Sequence, residues 1–72
     1  MNAAPAITVH TAHDVQSAAT TRHLARAGVD YEAVPADALR VAWTDSAGTT
    51  REWSGYRADR LDEAVADVRS AA

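Results

Sequence analysis

The sequence predicts one α/β domain, two layers thick, with the element order β-α-β-β-β-α. Three observations predict it. Ile7-Thr8-Val9-His10 and Leu39 to Thr44 alternate apolar and polar residues at the period of a strand. Val15 to Ala27 runs without Gly or Pro between a capping Asp14 and Gly28. Leu61, Ala64, Val65, Val68 and Ala72 recur at the spacing of one helix face.

Residues 1–5 carry no pattern and are expected to be a disordered N-terminus, leaving 6–72 as the domain. The first strand covers Ile7 to His10, and Thr11-Ala12-His13 connects it to the helix. The helix stripe is weak: Ser17, Thr20, Thr21, Leu24 and Ala27, so the helix is read mainly from its caps. Val29 to Val34 reads as a second strand ended by Pro35, and the long crossover between these strands suits a parallel pair. Leu39 to Thr44 and Thr49 to Trp53 form a hairpin around Asp45-Ser46-Ala47-Gly48, whose composition is that of a turn. Ser54-Gly55-Tyr56 leaves the sheet, and a closing helix starts at Ala58, with acids near its start and Arg69 near its end as the helix dipole favours. Alternation puts Ile7, Val9, Leu39, Val41 and Trp43 on one face and Thr8, His10, Arg40 and Ala42 on the other. Only the first face is apolar, so both helices should cover that face of a four-stranded mixed sheet and leave the other bare.

Composition bounds the rest. Of 72 residues, 18 are Ala, and Val, Ile and Leu total 11 with no Phe. That share is about 15%, under the roughly 20% at which folding becomes doubtful. The core is therefore thin, and a homodimer is one way to supplement it. No Cys is present, which removes disulfides, zinc thiolates and thiol chemistry. No apolar run is long enough to span a membrane, and no signal peptide is visible, so a cytoplasmic protein is expected. The net charge of −3 argues against nucleic acid as the main partner. All seven cations are Arg, which with the Ala excess suggests a G+C-rich bacterial or phage genome.

The segments Ala6-Ile7-Thr8-Val9-His10-Thr11, Asp14-Val15-Gln16-Ser17 and Ala27-Gly28-Val29-Asp30-Tyr31-Glu32 resemble the first half of the NrdH-redoxins. These are small glutaredoxin-like proteins of the thioredoxin fold. Their first strand reads roughly Ile-Thr-Val-Tyr, their active site Cys-Val-Gln-Cys, and their helix ends in Ala-Gly before a strand with Tyr-Glu. Trp53-Ser54-Gly55-Tyr56-Arg57-Ala58-Asp59-Arg60-Leu61 is similar to their C-terminal Trp-Ser-Gly-Phe-Arg-Pro-Asp-Arg-Ile signature. No periodicity explains Trp-Ser-Gly followed by an aromatic residue and Arg. The matched segments fall within residues 6–32 and 53–61, about half of the chain.

The resemblance implies a truncated thioredoxin/glutaredoxin-like sandwich. The family cysteines fall on Asp14 and Ser17, so the dithiol is gone. The stretch from Val34 to Leu39 is too short for the family's second helix, which agrees with the polar second face. The family's cis-proline has no counterpart near Ala38 and Leu39, and Pro35 is not its equivalent. Family members carry electrons from a thioredoxin-reductase-type enzyme to class Ib ribonucleotide reductase. That step needs an attacking and a resolving thiol, which a carboxylate and a hydroxyl cannot replace.

The candidate residues each have a plain and a sharper reading. Asp14 is a helix N-cap, or a fixed negative charge where the family has a low-pKa thiolate. Ser17 is a first-turn helix residue. His10, His13 and Asp14 have the types of a metal cluster, but no fourth ligand is apparent. His13, Asp14 and Ser17 have the types of a hydrolytic triad, with no oxyanion loop. His23 is expected to be exposed mid-helix. Trp43 and Trp53 are expected to pack across the hairpin. Trp53, Ser54, Gly55, Tyr56, Arg57 and Arg60 form the partner-binding candidate, an aromatic-Arg group of the kind enriched in binding hot spots. Asp59 reads as a helix N-terminal charge.

The expected function is adhesion without catalysis: a redox-inactive NrdH-redoxin-like protein, needing no cofactor or metal, that docks on a redoxin-linked enzyme such as thioredoxin reductase or ribonucleotide reductase. The alternatives are a self-associating structural module using the bare sheet face or an edge strand, and a phage-encoded modulator of a host protein.

Overall fold

The computed structural model of the chain describes residues 5–71. It is a small compact α/β structure with two helices and a four-stranded mixed sheet: β1 (Ala6–Thr11), α1 (Val15–Ala27), β2 (Glu32–Pro35), β3 (Arg40–Thr44), β4 (Thr50–Ser54) and α2 (Ala58–Ala71). The strand order is β2-β1-β3-β4. β1 and β2 are parallel across the α1 crossover, and the other two pairings are antiparallel. The expected disordered segment 1–5 lies outside the described residues except for Pro5, as does Ala72 at the end of the helical stripe.

The second strand is shorter than alternation suggests. Gly28 adopts φ 71°, its N–H donates to the Ala25 carbonyl, and the Val29 N–H donates to the Leu24 carbonyl. These two bonds are a Schellman motif, with Val29 packed into the same core as Leu24. The cap uses up the residues that would have begun the strand, so pairing with β1 starts at Thr8 opposite Glu32. Pro35 is the last residue of β2 rather than the residue just beyond it, and the Ala36 N–H bonds to the Thr11 carbonyl one residue later.

The register explains the core. Ile7 lies opposite Trp43 and Val9 opposite Val41, so one face of β1 and β3 is continuously apolar. These four join Leu39, Leu24, Val29, Leu61, Ala64 and Val65 in one buried cluster. The weak stripe of α1 is buried all the same. Ser17 and Thr20 are both buried, and the Thr20 hydroxyl donates to the Gln16 carbonyl at 2.9 Å. Hydroxyl-lined packing therefore costs α1 no unpaired donor at Thr20.

The β3–β4 turn is held by Asp45 and Asp67. Asp45 is buried, and its Oδ1 accepts from the N–H groups of Ala47 at 3.0 Å and Thr49 at 2.9 Å. Gly48 sits at φ 88° in this turn, a conformation a side chain would strain. Asp67 of α2 accepts from the Ser46 N–H and the Trp43 indole N–H, both at 3.2 Å, and from the Ser46 hydroxyl at 2.9 Å. One carboxylate thus ties α2 to the hairpin.

Candidate protein-docking site

The site starts at the N-terminus of α1. Asp14 is extended (φ −140°, ψ 173°), and its Oδ1 accepts from the Ser17 N–H at 2.7 Å. Ser17 turns its hydroxyl back, where it accepts from the Ala12 N–H at 3.0 Å. Bonding from the Ser17 N–H, and secondly from its hydroxyl, holds the Asp14 carboxyl below its ordinary value. A folded value below the unfolded one stabilises the fold at neutral pH, and this contribution is lost as pH falls through the folded value. Asp14→Ala is therefore expected to lower the melting temperature at pH 7. The gap from the wild type should close as the pH drops below the carboxylate range, which melts followed by circular dichroism from pH 7 to pH 2 will show.

Val15 follows at 84% exposure, a large apolar side chain on the surface beside Asp14. Both residues border an open concavity of about 700 Å³, whose far side is Tyr31 and Ala33. His13 lines it too, yet no hydrogen bond among the described residues joins His13 to Asp14 or Ser17. The Ser17 hydroxyl is buried and occupied by the Ala12 N–H, so the triad candidates do not assemble. Among the described residues no three His, Asp or Glu side chains converge as a metal site, so His10, His13 and Asp14 do not meet in one.

The β4–α2 segment docks against this helix end. The Tyr56 N–H donates to Gln16 Oε1 at 3.1 Å. Gly55 adopts φ 79°, and a Cβ there would sit 3.0 Å from the same Oε1. The positive φ favours glycine here, and a Cβ would also press on the end of the Gln16 side chain. Asp14-Val15-Gln16-Ser17 and Trp53-Ser54-Gly55-Tyr56-Arg57, which are 40 residues apart at the Gln16–Tyr56 contact, therefore form one surface.

Trp53 lies opposite Val41, so its ring joins the core edge, while Ser54 ends β4 exposed. The Trp53 indole N–H is buried without a partner among the described residues. Trp43 lies opposite Arg51 and Trp53 opposite Val41, so the two rings are diagonal rather than paired across the hairpin, and both line a second concavity of about 350 Å³ with Arg51, Glu52, Arg57 and Arg60. Arg51 lies over the Trp43 ring, 5.1 Å from its centroid. Arg57 bonds Asp59 through Nε at 3.4 Å and Nη2 at 3.3 Å, which holds the Asp59 carboxyl below its ordinary value. Arg60 Nη1 lies 3.7 Å from Glu63. These are exposed pairs, each worth little to stability.

His23 corrects the expectation of an exposed mid-helix imidazole. Its side chain is 20% exposed, with Nδ1 3.1 Å from the Tyr56 hydroxyl and Nε2 2.8 Å from Asp62 Oδ1. Spacing gives no sign of this chain, because its members lie 33 and 39 residues apart. Asp67 had a faint signal, since it borders the Ala64-Val68 stripe. Gln16 had one only through the resemblance.

Comparisons with protein-family models, curated proteins and solved structures gave no match to this chain. No helix among the described residues is long and apolar enough to cross a membrane.

Proposed function

We propose that this chain is a truncated, redox-inactive relative of the NrdH-redoxins that docks on a redoxin-linked enzyme without exchanging thiols. The Gln16–Tyr56 bond carries this reading, because it joins the two segments on which the resemblance rests. A parallel β1–β2 pair bridged by α1, a β3–β4 hairpin and a closing α2 support a thioredoxin-like arrangement. So does the burial of Leu24 from α1 and Leu61 and Val65 from α2 in one cluster, as expected for helices sharing a sheet face. The stretch between β2 and β3 contains no helix, in keeping with a truncated scaffold.

In this reading Asp14 presents a permanent negative charge at a helix N-terminus, where the family's reduced form presents a thiolate. Val15 supplies apolar contact beside it. Trp53, Ser54, Gly55, Tyr56, Arg57 and Arg60 form the rest of the surface, with Arg57 and Arg60 trading their exposed partners for acids of the bound enzyme. Ser17 is structural. The partner is a thioredoxin-reductase-type enzyme or class Ib ribonucleotide reductase.

Arg57→Ala removes one hot-spot candidate from an exposed position, where little stability is at stake. Titration of either purified enzyme in a calorimeter is expected to give saturable binding, weakened by about tenfold in the variant. Equal affinity of the variant and the wild type would remove Arg57 from the contact.

A further inference from the structure

The flank of α1 away from Asp14 has a chemistry that the docking reading touches only at Tyr56. Arg22 and Arg26 stand one turn apart and line a concavity of about 460 Å³ with His23 and Tyr56, floored by Ala19 and Ala27. Among the described residues neither arginine has a carboxylate within ion-pair distance, whereas Arg51, Arg57 and Arg60 all do. In a chain of net charge −3, this is a local concentration of unpaired positive charge. We propose that it is a binding site for a tetrahedral oxyanion of the phosphate and sulfate class, with occupancy coupled to protonation of His23.

The coupling follows from hydrogen-bond polarity. An ionised Asp62 only accepts, so the hydrogen on His23 must sit on Nε2. In neutral His23, Nδ1 then carries a lone pair and accepts a hydrogen bond from the Tyr56 hydroxyl. The phenol oxygen is left with only lone pairs to offer an anion. Protonation reverses this bond: Nδ1–H donates to Tyr56, and the phenol hydrogen is released to donate elsewhere. The site gains a positive charge and a third donor at once. Two guanidinium groups on the helix and one hydroxyl from the β4–α2 segment line the same concavity, a set of donors that matches the several oxygens of a tetrahedral anion. The charged or titratable groups around His23 are Arg22 and Arg26 on α1, Tyr56 from the β4–α2 segment and Asp62 on α2; Arg69 of α2 lies at the far end, bonded to the Ala27 carbonyl.

Sulfate is the probe of choice for the coupling, because its charge stays constant from pH 5.5 to 8 while that of phosphate does not. Sulfate titrations at fixed ionic strength, followed by NMR, are expected to saturate at His23, Arg22 and Arg26. Affinity should be greater at pH 5.5 than at pH 8. R22Q with R26Q should weaken binding by about tenfold or more. Tyr56→Phe should bind sulfate with a smaller pH dependence, and Arg40→Gln, on the opposite sheet face, should bind as the wild type does. Inorganic phosphate and glycerol 3-phosphate at pH 8 distinguish a free anion from a phosphomonoester, and the tighter of the two names the source. A linear, non-saturating response would overturn the proposal. So would equal binding by R22Q with R26Q, or an equal loss in Arg40→Gln, either of which means diffuse charge attraction. Retained helical circular dichroism in the double variant excludes unfolding as the cause of lost binding.

Discussion

Leu24→Ala is expected to leave the chain largely unfolded at 25 °C. Leu24 is fully buried and is the sole large apolar side chain that α1 puts into the core, beside the hydroxyl residues Ser17 and Thr20. Truncating a buried Leu costs about 2–5 kcal/mol through lost transfer energy and the cavity left behind. A core in a domain this small rarely supplies more than about 3–5 kcal/mol in total. The loss is also hard to relax, because neighbouring α1 positions are occupied by side chains already committed to hydrogen bonds. Val15→Ala is the matched contrast: it removes a larger apolar group than Ala from the same helix, but from an 84% exposed position. Urea denaturation followed by circular dichroism should give a wild-type midpoint for Val15→Ala and no folded baseline for Leu24→Ala. A Leu24→Ala midpoint within experimental error of the wild type would mean that α1 is not anchored where described.

The second large effect is expected at Asp67, a surface-flanking residue that no motif picks out. Asp67→Ala removes the acceptor of three bonds at once, from the Trp43 indole N–H, the Ser46 N–H and the Ser46 hydroxyl. Trp43 is 4% exposed, so its indole N–H cannot simply turn to water. Stranding buried donors that had a charged acceptor costs about 2–3 kcal/mol. For a domain of this size that corresponds to a fall in melting temperature of roughly 10–20 °C. Asp67→Asn keeps one acceptor oxygen and should fall between the two. A rise in Trp43 indole hydrogen exchange in Asp67→Ala, ahead of global unfolding, would locate the loss at this bond.

The sequence showed the fold more fully than the site. Alternation at Ile7-Thr8-Val9 and Val41-Ala42-Trp43 identified the buried sheet face, since a strand has only two faces and a charge on the wrong one is costly. Gly28 marked the end of α1, although the Schellman bonds it allows moved the start of β2 to Glu32. Such a cap depends on which carbonyls the next N–H groups reach, and composition does not carry that. The contacts that join distant segments were invisible: Gln16 to Tyr56, His23 to Tyr56 and Asp62, Asp67 to Ser46. Polar residues on a helix look alike in sequence whether they face water or a neighbour. The register between elements decides it, and that emerges only when they pack.

The central claim is that this chain occupies a redoxin's place on its partner without doing a redoxin's chemistry. One assay reads both halves: NADPH consumption by the thioredoxin-reductase-type enzyme with authentic NrdH-redoxin as acceptor and a disulfide substrate, titrated with this chain. The expected result is a falling rate that added redoxin restores, with no turnover when the chain is the sole acceptor. An unchanged rate here together with unchanged redoxin-driven turnover of class Ib ribonucleotide reductase, or NADPH oxidation supported by the pure chain alone, would contradict the account.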